Sequence, residues 1–403
     1  MAFFPLMPFG ILSIVSIGFV LLSIVVFKDN ISKNFVVRKK TILINISFYL
    51  IISLTVFLSN DKMEAFKIIK RDLNILIFPL IILLFFPNLL KNEIKKILNT
   101  YLLSSIIVLF IFISVIIKYA YLNNHLVSFF NFPFRNIIEG KTYLDITPTY
   151  LGIWFSFSVF YLVQKLLTKA SIKIKSIYVI LLIGFYFFIL ISSARTVFLM
   201  LNLILVMYLF VASYSLKKKL IVLSSFIIVG CCVFLNLNES SNFKYRYFEE
   251  VFKKEIKIPK GRNPSSLSIR YGVYLCGLEL VKNNPILGYG IGDVQAKLSE
   301  CYKLSYRSSV FQKTKFDSHN YFIYLLLSGG IIALLFFVIM FGYNTRLALK
   351  NKNYLYLSFL LIIFSCCFTE NVLSRAYGSV FFAYLNSIFL LNYHSKKLNN
   401  GKN

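Results

Sequence analysis

The stretch "FDSHNYFIYLLLSGGI" (316–331) puts His319 and Asn320 directly before an apolar run long enough to begin a membrane span. At such a mouth an imidazole can take up a proton near neutral pH; equally, a histidine at a helix entrance can be a plain interfacial residue. Arg195, in "LISSARTVFLML", is the one charged residue between Lys175 and Lys217. A cation between two apolar runs is costly unless it faces a partner, an aqueous cavity or the headgroup layer, so Arg195 is either functional or a snorkelling anchor. Arg270, in "SIRYGVY", opens a helical pattern and is otherwise a solvated surface charge. Glu370 and Arg375, in "FTENVLSRAYG", form a turn between apolar runs and could pair with each other. Guanidinium binds phosphate bidentately and imidazole can accept a hydroxyl proton. The set suits a phosphorylated lipid substrate and an activated hydroxyl, with neighbouring cations favouring neutral imidazole.

Other chemistries find little footing. The chain has no Asp-x-Asp pair, and its outward loops lack clustered His, Cys and carboxylate ligands, so no metal site and no cofactor are expected. Gly288, Gly290 and Gly292 have the wrong spacing for a dinucleotide fingerprint, and no Gly-x-Ser-x-Gly elbow is present.

The elements that must position these residues follow from composition. Of 403 residues, 58% are hydrophobic and only 15% charged, and mean hydropathy is +0.73. Apolar residues come in blocks of membrane-spanning length, and a span must pair its own backbone groups, so an all-α polytopic bundle of about eleven helices (10–12) is predicted. The blocks are 5–27, 41–58, 73–88, 101–118, 148–163, 176–193, 197–213, 219–236, 321–343, 353–369 and 376–392. The first lacks a basic leader and a small-residue cleavage site, so it is expected to be retained.

A net charge of +28 raises the possibility of nucleic-acid binding, but the lysines and arginines sit mostly in short connections. Residues 28–40, 91–96, 165–175, 216–220, 346–352 and 396–402 occupy every second connection, the pattern of cytoplasmic loops. The N-terminus then faces outward and the C-terminus inward, and no nucleic-acid partner is expected. One connection is awkward: 59–72 is outward in this scheme yet carries Lys62, Lys67, Lys70 and Arg71 beside Asp61, Glu64 and Asp72. The predicted organisation is N-terminal spans over 1–236, an outward loop domain over 237–320, C-terminal spans over 321–392 and a cytoplasmic tail over 393–403.

Within the outward loop, 266–284 has helical apolar spacing behind a serine-rich cap, 284–293 ("NPILGYGIGD") is a turn, and 294–304 resumes a helix. Cys276 and Cys301 share this loop, where an oxidising compartment permits a disulfide. Cys231, Cys232, Cys366 and Cys367 lie inside spans and serve as small apolar fillers. His125 lies in the first outward loop and His394 in the tail.

The order "SSAR" (192–195), "RYGVY" (270–274), "NPILGYGIG" (284–292), "SHNYFIYLLLSGGI" (318–331) and "TENVLSRAYG" (369–378) resembles the bacterial O-antigen ligase and O-antigen polymerase superfamily, over roughly 145–390. "TPTYLG" (147–152) is similar to a Pro-Thr-Tyr element in relatives that often have histidine where this chain has Thr147. The resemblance implies a metal-independent, inverting membrane glycosyltransferase of the bacterial inner membrane, working on the periplasmic side. Its donor would be a glycan on undecaprenyl pyrophosphate and its acceptor lipid A–core or another lipid-linked repeat unit. Carried across, Arg195 and Arg270 would stabilise the leaving pyrophosphate and His319 would activate the acceptor hydroxyl. Asn320, Glu370, Arg375 and Tyr150 would line the substrates. The competing class is a transporter or flippase of an anionic glycan; against it stand few mid-span charges and no obvious matched pair of broken helices.

Overall fold

The computed structural model describes residues 1–122, 137–138, 144, 146–168, 171–192, 194–211, 216, 220, 224, 256–261, 265–306 and 308–400, with side chains to 396. Among these every regular element is a helix. In chain order they are α1 (Phe9–Phe27), α2 (Ile31–Leu54), α3 (Lys62–Asp72), α4 (Asn74–Phe85), α5 (Lys91–Leu122), α6 (Pro148–Leu167) and α7 (Ile172–Ile191). There follow α8 (Arg195–Val211), α9 (Ser266–Asn283), α10 (Val294–Ser305), α11 (Ser309–Lys313), α12 (Tyr321–Lys350), α13 (Tyr354–Cys366) and α14 (Ala376–Asn400). Ten of the predicted apolar blocks coincide with helices; the remaining one, 219–236, lies outside the described residues except for 220 and 224, and His125, Cys231 and Cys232 lie outside them too. The stretches Phe9–Phe57, Lys91–Leu122, Pro148–Leu167, Ile172–Ile191 and Tyr321–Lys350 are long and apolar enough to cross a membrane. Arg195–Val211 and Tyr354–Cys366 are shorter apolar helices. The chain is a multi-pass helical membrane bundle.

Two compact units divide the chain. One comprises 1–15, 95–254 and 352–362, and its centre is α6, packed against α7 and α8. Trp154, Phe155, Phe157 and Phe160 are fully buried in it, as expected of a helix apolar on all sides. The Phe4 ring meets Trp154 edge-on at 5.2 Å, and Phe155 lies 4.9 Å from Phe185. Hydrogen bonds from Tyr101 to the Trp154 carbonyl, Tyr161 to Asn99 and Tyr186 to Asn202, each 2.8 Å, satisfy the phenols that apolar packing buries.

The other unit comprises 16–94, 255–351 and 363–403. Here α4 packs against α2 and α14, and α2 against α12. At the end where α2 begins, Arg38 is buried and donates to the carbonyls of Leu83 (2.9 Å) and Phe86 (3.0 Å), which α4 leaves without intrahelical partners. Asn34 reinforces this, and Ser395 of α14 accepts from the Leu89 amide. The basic segment 28–40 and Ser395 of α14 thus reach the same end as 86–91. His394, placed in a tail by the sequence reading, is instead buried in α14, 2.9 Å from Thr41. Deeper in the bundle, Asn45, Asn344 and Asn386 exchange hydrogen bonds of 2.9–3.2 Å across α2, α12 and α14.

At the opposite end of α2 the turn 284–293 docks into a break in α12. Gly329 and Gly330 leave the helical conformation, Gly330 at φ +61°. The Leu327 carbonyl accepts from the Tyr289 amide (2.7 Å) and the Ser328 carbonyl from Gly290 (3.1 Å), while the Ile331 amide donates to Pro285 (2.9 Å). Only glycine fits, since a methyl on Gly288 or Gly330 would collide with the backbone of the other strand of the junction. The turn also binds the segment after α2: Ile291 donates to Thr55, Gly292 to Ser59, and Asp293 accepts from the Asn60 and Asp61 amides at 2.7 and 2.9 Å. The spacing of the three glycines is thereby explained as backbone docking. α9 is capped by Ser265, which accepts from the Ser268 amide, and a Cys276–Cys301 disulfide joins α9 to α10. Cys366 and Cys367 are buried free thiols.

Candidate active site around His319

Residues 317–320 form the link between α11 and α12 and are laced to the segment after α13. Asn320 caps α12, its side-chain oxygen accepting from Phe322 (2.9 Å) and Ile323 (3.1 Å). The Tyr321 amide donates to the Cys367 carbonyl at 2.8 Å, and Ser318 donates to Asn371 at 3.0 Å. Tyr274 of α9 shares its hydroxyl between the carbonyls of His319 and Phe368. Burial holds this phenol above its ordinary pKa, so it remains a donor. Held on all sides, His319 takes a left-handed backbone, φ +44°. Such a conformation costs a residue with a Cβ about 1–3 kcal/mol and persists where the surroundings enforce it.

The imidazole faces two carboxylates. Nδ1 lies 3.4 Å from Asp317 Oδ1 and 3.6 Å from Glu370 Oε2, near enough for charge interaction though not aligned as a hydrogen bond. Nδ1 itself is buried while the side chain is 26% exposed, so solvent reaches the ring away from Nδ1. Each carboxylate in turn holds a guanidinium: Glu370 Oε1 accepts from Arg270 and Asp317 Oδ2 from Arg375, both at 3.0 Å. The expectation that Glu370 and Arg375 pair with each other is therefore corrected. The turn Val372–Ser374 separates them and delivers each to a partner from another segment. The expected ring of cations around the imidazole is likewise corrected: the nearest charges are carboxylates, and the cations stand one step behind.

The structure thus brings His319, Arg270, Glu370 and Arg375 together and adds Asp317 and Tyr274, to which sequence reasoning gave no role. Both stood in quoted motifs, and a signal for Asp317 was its position two residues before the histidine. A further pair lies close by at the end of α3. Arg71 donates to both oxygens of Asp72, at 2.8 and 2.9 Å. Burial disfavours the Arg71 charge, but the hydrogen bond and charge of Asp72 outweigh it and hold the guanidinium protonated. The awkward connection 59–72 is thus an amphipathic helix whose charges are partly neutralised locally.

Arg195 and Tyr150 belong to the first unit. Arg195 is the first residue of α8, where the helix dipole offers a cation no stabilisation, and it is half-buried. Tyr150 is buried in the first turn of α6. Among the described residues no group of three or more His, Cys, Asp or Glu side chains is placed to hold a metal ion.

Comparison with known proteins finds a resemblance over part of the chain. Residues 177–338 match the family model described as O-antigen ligase, about two fifths of the chain. The match includes Arg195, Arg270, Asp317 and His319 and leaves Arg71, Tyr150, Glu370 and Arg375 outside. No curated protein matches the chain. With its helical membrane architecture, the chain thus carries, over residues 177–338, a segment similar to an O-antigen ligase domain, which supports a surface-polysaccharide ligase or polymerase in general terms.

Proposed function

We propose that the protein is an inverting, metal-independent glycosyltransferase of the bacterial inner membrane, active at the periplasmic face. Its donor is a glycan on undecaprenyl pyrophosphate, and its acceptor is lipid A–core or another lipid-linked repeat unit. The observation that carries this reading is His319 held with its Nδ1 against Asp317 and Glu370. Carboxylates at Nδ1 favour the tautomer protonated there, which leaves the Nε2 lone pair to accept a proton. The acceptor hydroxyl gives its proton to Nε2 as its oxygen attacks the anomeric carbon, and the bond from that carbon to the diphosphate breaks with its electrons going to the leaving group. Arg270 stabilises the charge that collects on the departing diphosphate. Asn320 lines the substrates. The Cys276–Cys301 disulfide in the same unit supports an oxidising compartment on the site's side.

Transport is the weaker reading. α12 is a broken helix, but its gap is filled by the chain's own turn, and no matching second break occurs among the described residues.

The test is a gel of surface glycolipids from a deletion strain complemented with wild type or His319→Ala. Core bearing a single repeat unit marks a polymerase; bare core with accumulated lipid-linked polymer marks a ligase. Full restoration by His319→Ala overturns the mechanism, and an unaltered pattern on deletion overturns the function.

A further inference from the structure

The pair at the end of α3 has more donors than its own charges need. Asp72 is 7% exposed, and a buried carboxylate must be matched by a cation and by hydrogen bonds. Arg71 does both through Nε and one terminal nitrogen, yet its side chain remains 32% exposed and its other N–H donors lie outside that pair. A role confined to neutralising Asp72 accounts for the two bonds and not for the exposed remainder.

The surroundings of Arg71 lean the same way. α3 packs against the turn Val372–Ser374, and Arg71 interacts electrostatically with Tyr321 and Tyr324 in the first turn of α12. The hydroxyls of Tyr324 and Ser374 are buried, and that of Tyr324 faces both Ser374 and the Arg71 guanidinium, but none of these contacts is a well-aligned hydrogen bond. Buried polar groups are ordinarily satisfied, so two loosely paired hydroxyls beside a guanidinium with spare donors suit a polar atom supplied from outside the chain, directly or through water. Arg375, the next residue, is 60% exposed, feels the Asp72 charge, and bonds Asp317 beside His319. Two guanidiniums and two hydroxyls with protons to give make a donor-rich group, and its complement is an oxyanion.

We propose that Arg71, with Arg375, Tyr324 and Ser374, forms an anion subsite next to His319 that takes a phosphate group of a membrane-embedded lipid. It rests on the proposed function, and deepens it by assigning part of the lipid diphosphate to a helix outside the matched family domain. The oriented guanidinium of Arg71 binds the phosphate, Asp72 keeps it from collapsing into solvent, and the hydroxyls reach the remaining oxygen through water.

The experiment uses the purified full chain in detergent. Binding of an isoprenyl diphosphate without glycan, and of inorganic pyrophosphate, is titrated for wild type, Arg71→Lys, Tyr324→Phe and the double variant Arg71→Gln with Asp72→Asn. The double variant strands no buried charge, and Tyr324→Phe removes a single oxygen. A charge-assisted hydrogen bond lost to phosphate weakens binding about 10- to 100-fold, so the double variant is expected in that range and Arg71→Lys and Tyr324→Phe at about 3- to 10-fold. Loss of affinity for both ligands marks a subsite for phosphate of any source; loss for the isoprenyl ligand alone, where wild type ignores inorganic pyrophosphate, marks one for the lipid. Wild-type affinity for the isoprenyl ligand in all three folded variants overturns the subsite. Glycan transfer by wild type is assayed alongside: transfer with variant-independent binding removes the subsite alone, and Arg71-dependent binding without transfer removes the glycosyltransferase reading alone.

Discussion

One oxygen of Asp317 holds His319 twice. Oδ1 accepts the His319 backbone amide at 3.0 Å and stands 3.4 Å from Nδ1 of the same residue. The carboxylate therefore supports both the left-handed backbone and the ring orientation, while Arg375 fixes its other oxygen. Asp317→Asn retains an amide acceptor for the backbone but loses the charge, and Asp317→Ala loses both. Orienting partners of this kind contribute about 10- to 100-fold to activity. The expected order of kcat is wild type, then Asn, then Ala, with KM for the donor little changed, as initial rates of glycan transfer would show. Wild-type kcat in Asp317→Ala would refute the orienting role.

Arg195→Lys keeps the charge and loses the planar fork. If Arg195 binds diphosphate, transfer falls about tenfold or more while membrane insertion persists. Activity equal to wild type would make it an anchor.

Arg270→Ala removes the partner of Glu370 along with any contact to substrate. Its transfer activity should fall to background. Adding Glu370→Gln tests how much of that loss comes from the stranded carboxylate: recovery in the double variant assigns it to Glu370, and continued inactivity assigns it to phosphate binding by Arg270.

The Cys276–Cys301 bond closes a span of 25 residues. Chain-entropy arguments give such a closure about 3 kcal/mol of stabilisation. Cys276→Ser should lose the mobility shift on reduction and show faster cleavage of the α9–α10 segment by protease. Unchanged mobility of the wild type on reduction would count against the bond.

Gly330→Ala places a methyl against the Ile286 backbone at a positive φ and should lower the melting temperature markedly. Gly342→Ala, in the same helix with open space around it, is the control and should be neutral or raise stability by about 0.5–1 kcal/mol.

Much of the architecture was legible because a lipid environment leaves the backbone few options. Apolar blocks had to be helices, and Ser265 and the run 284–293 announced a cap and a turn. The break in α12 was hidden, since Gly329 and Gly330 lie inside an apolar run that length alone reads as continuous. In the site, residue types were legible and pairings were not. Glu370 and Arg375 are five residues apart, so mutual pairing was the natural local expectation; their partners Arg270 and Asp317 come from 100 and 58 residues away. Arg71 was visible only as a misplaced charge, because nothing local shows that α3 returns to the mouth of α12.

In an unbroken helix the Ile331 amide would donate to the Leu327 carbonyl. Here the turn 284–293 is spliced between those two groups and supplies a partner to each. The turn and α12 consequently share one hydrogen-bonded backbone junction, and lifting the turn away would strand amides and carbonyls at about 1–3 kcal/mol apiece. It cannot serve as a swinging door. Substrate must arrive by a route that leaves the splice closed, and a chimera that exchanges this segment with a relative's must exchange 55–61 and 327–331 as one cassette.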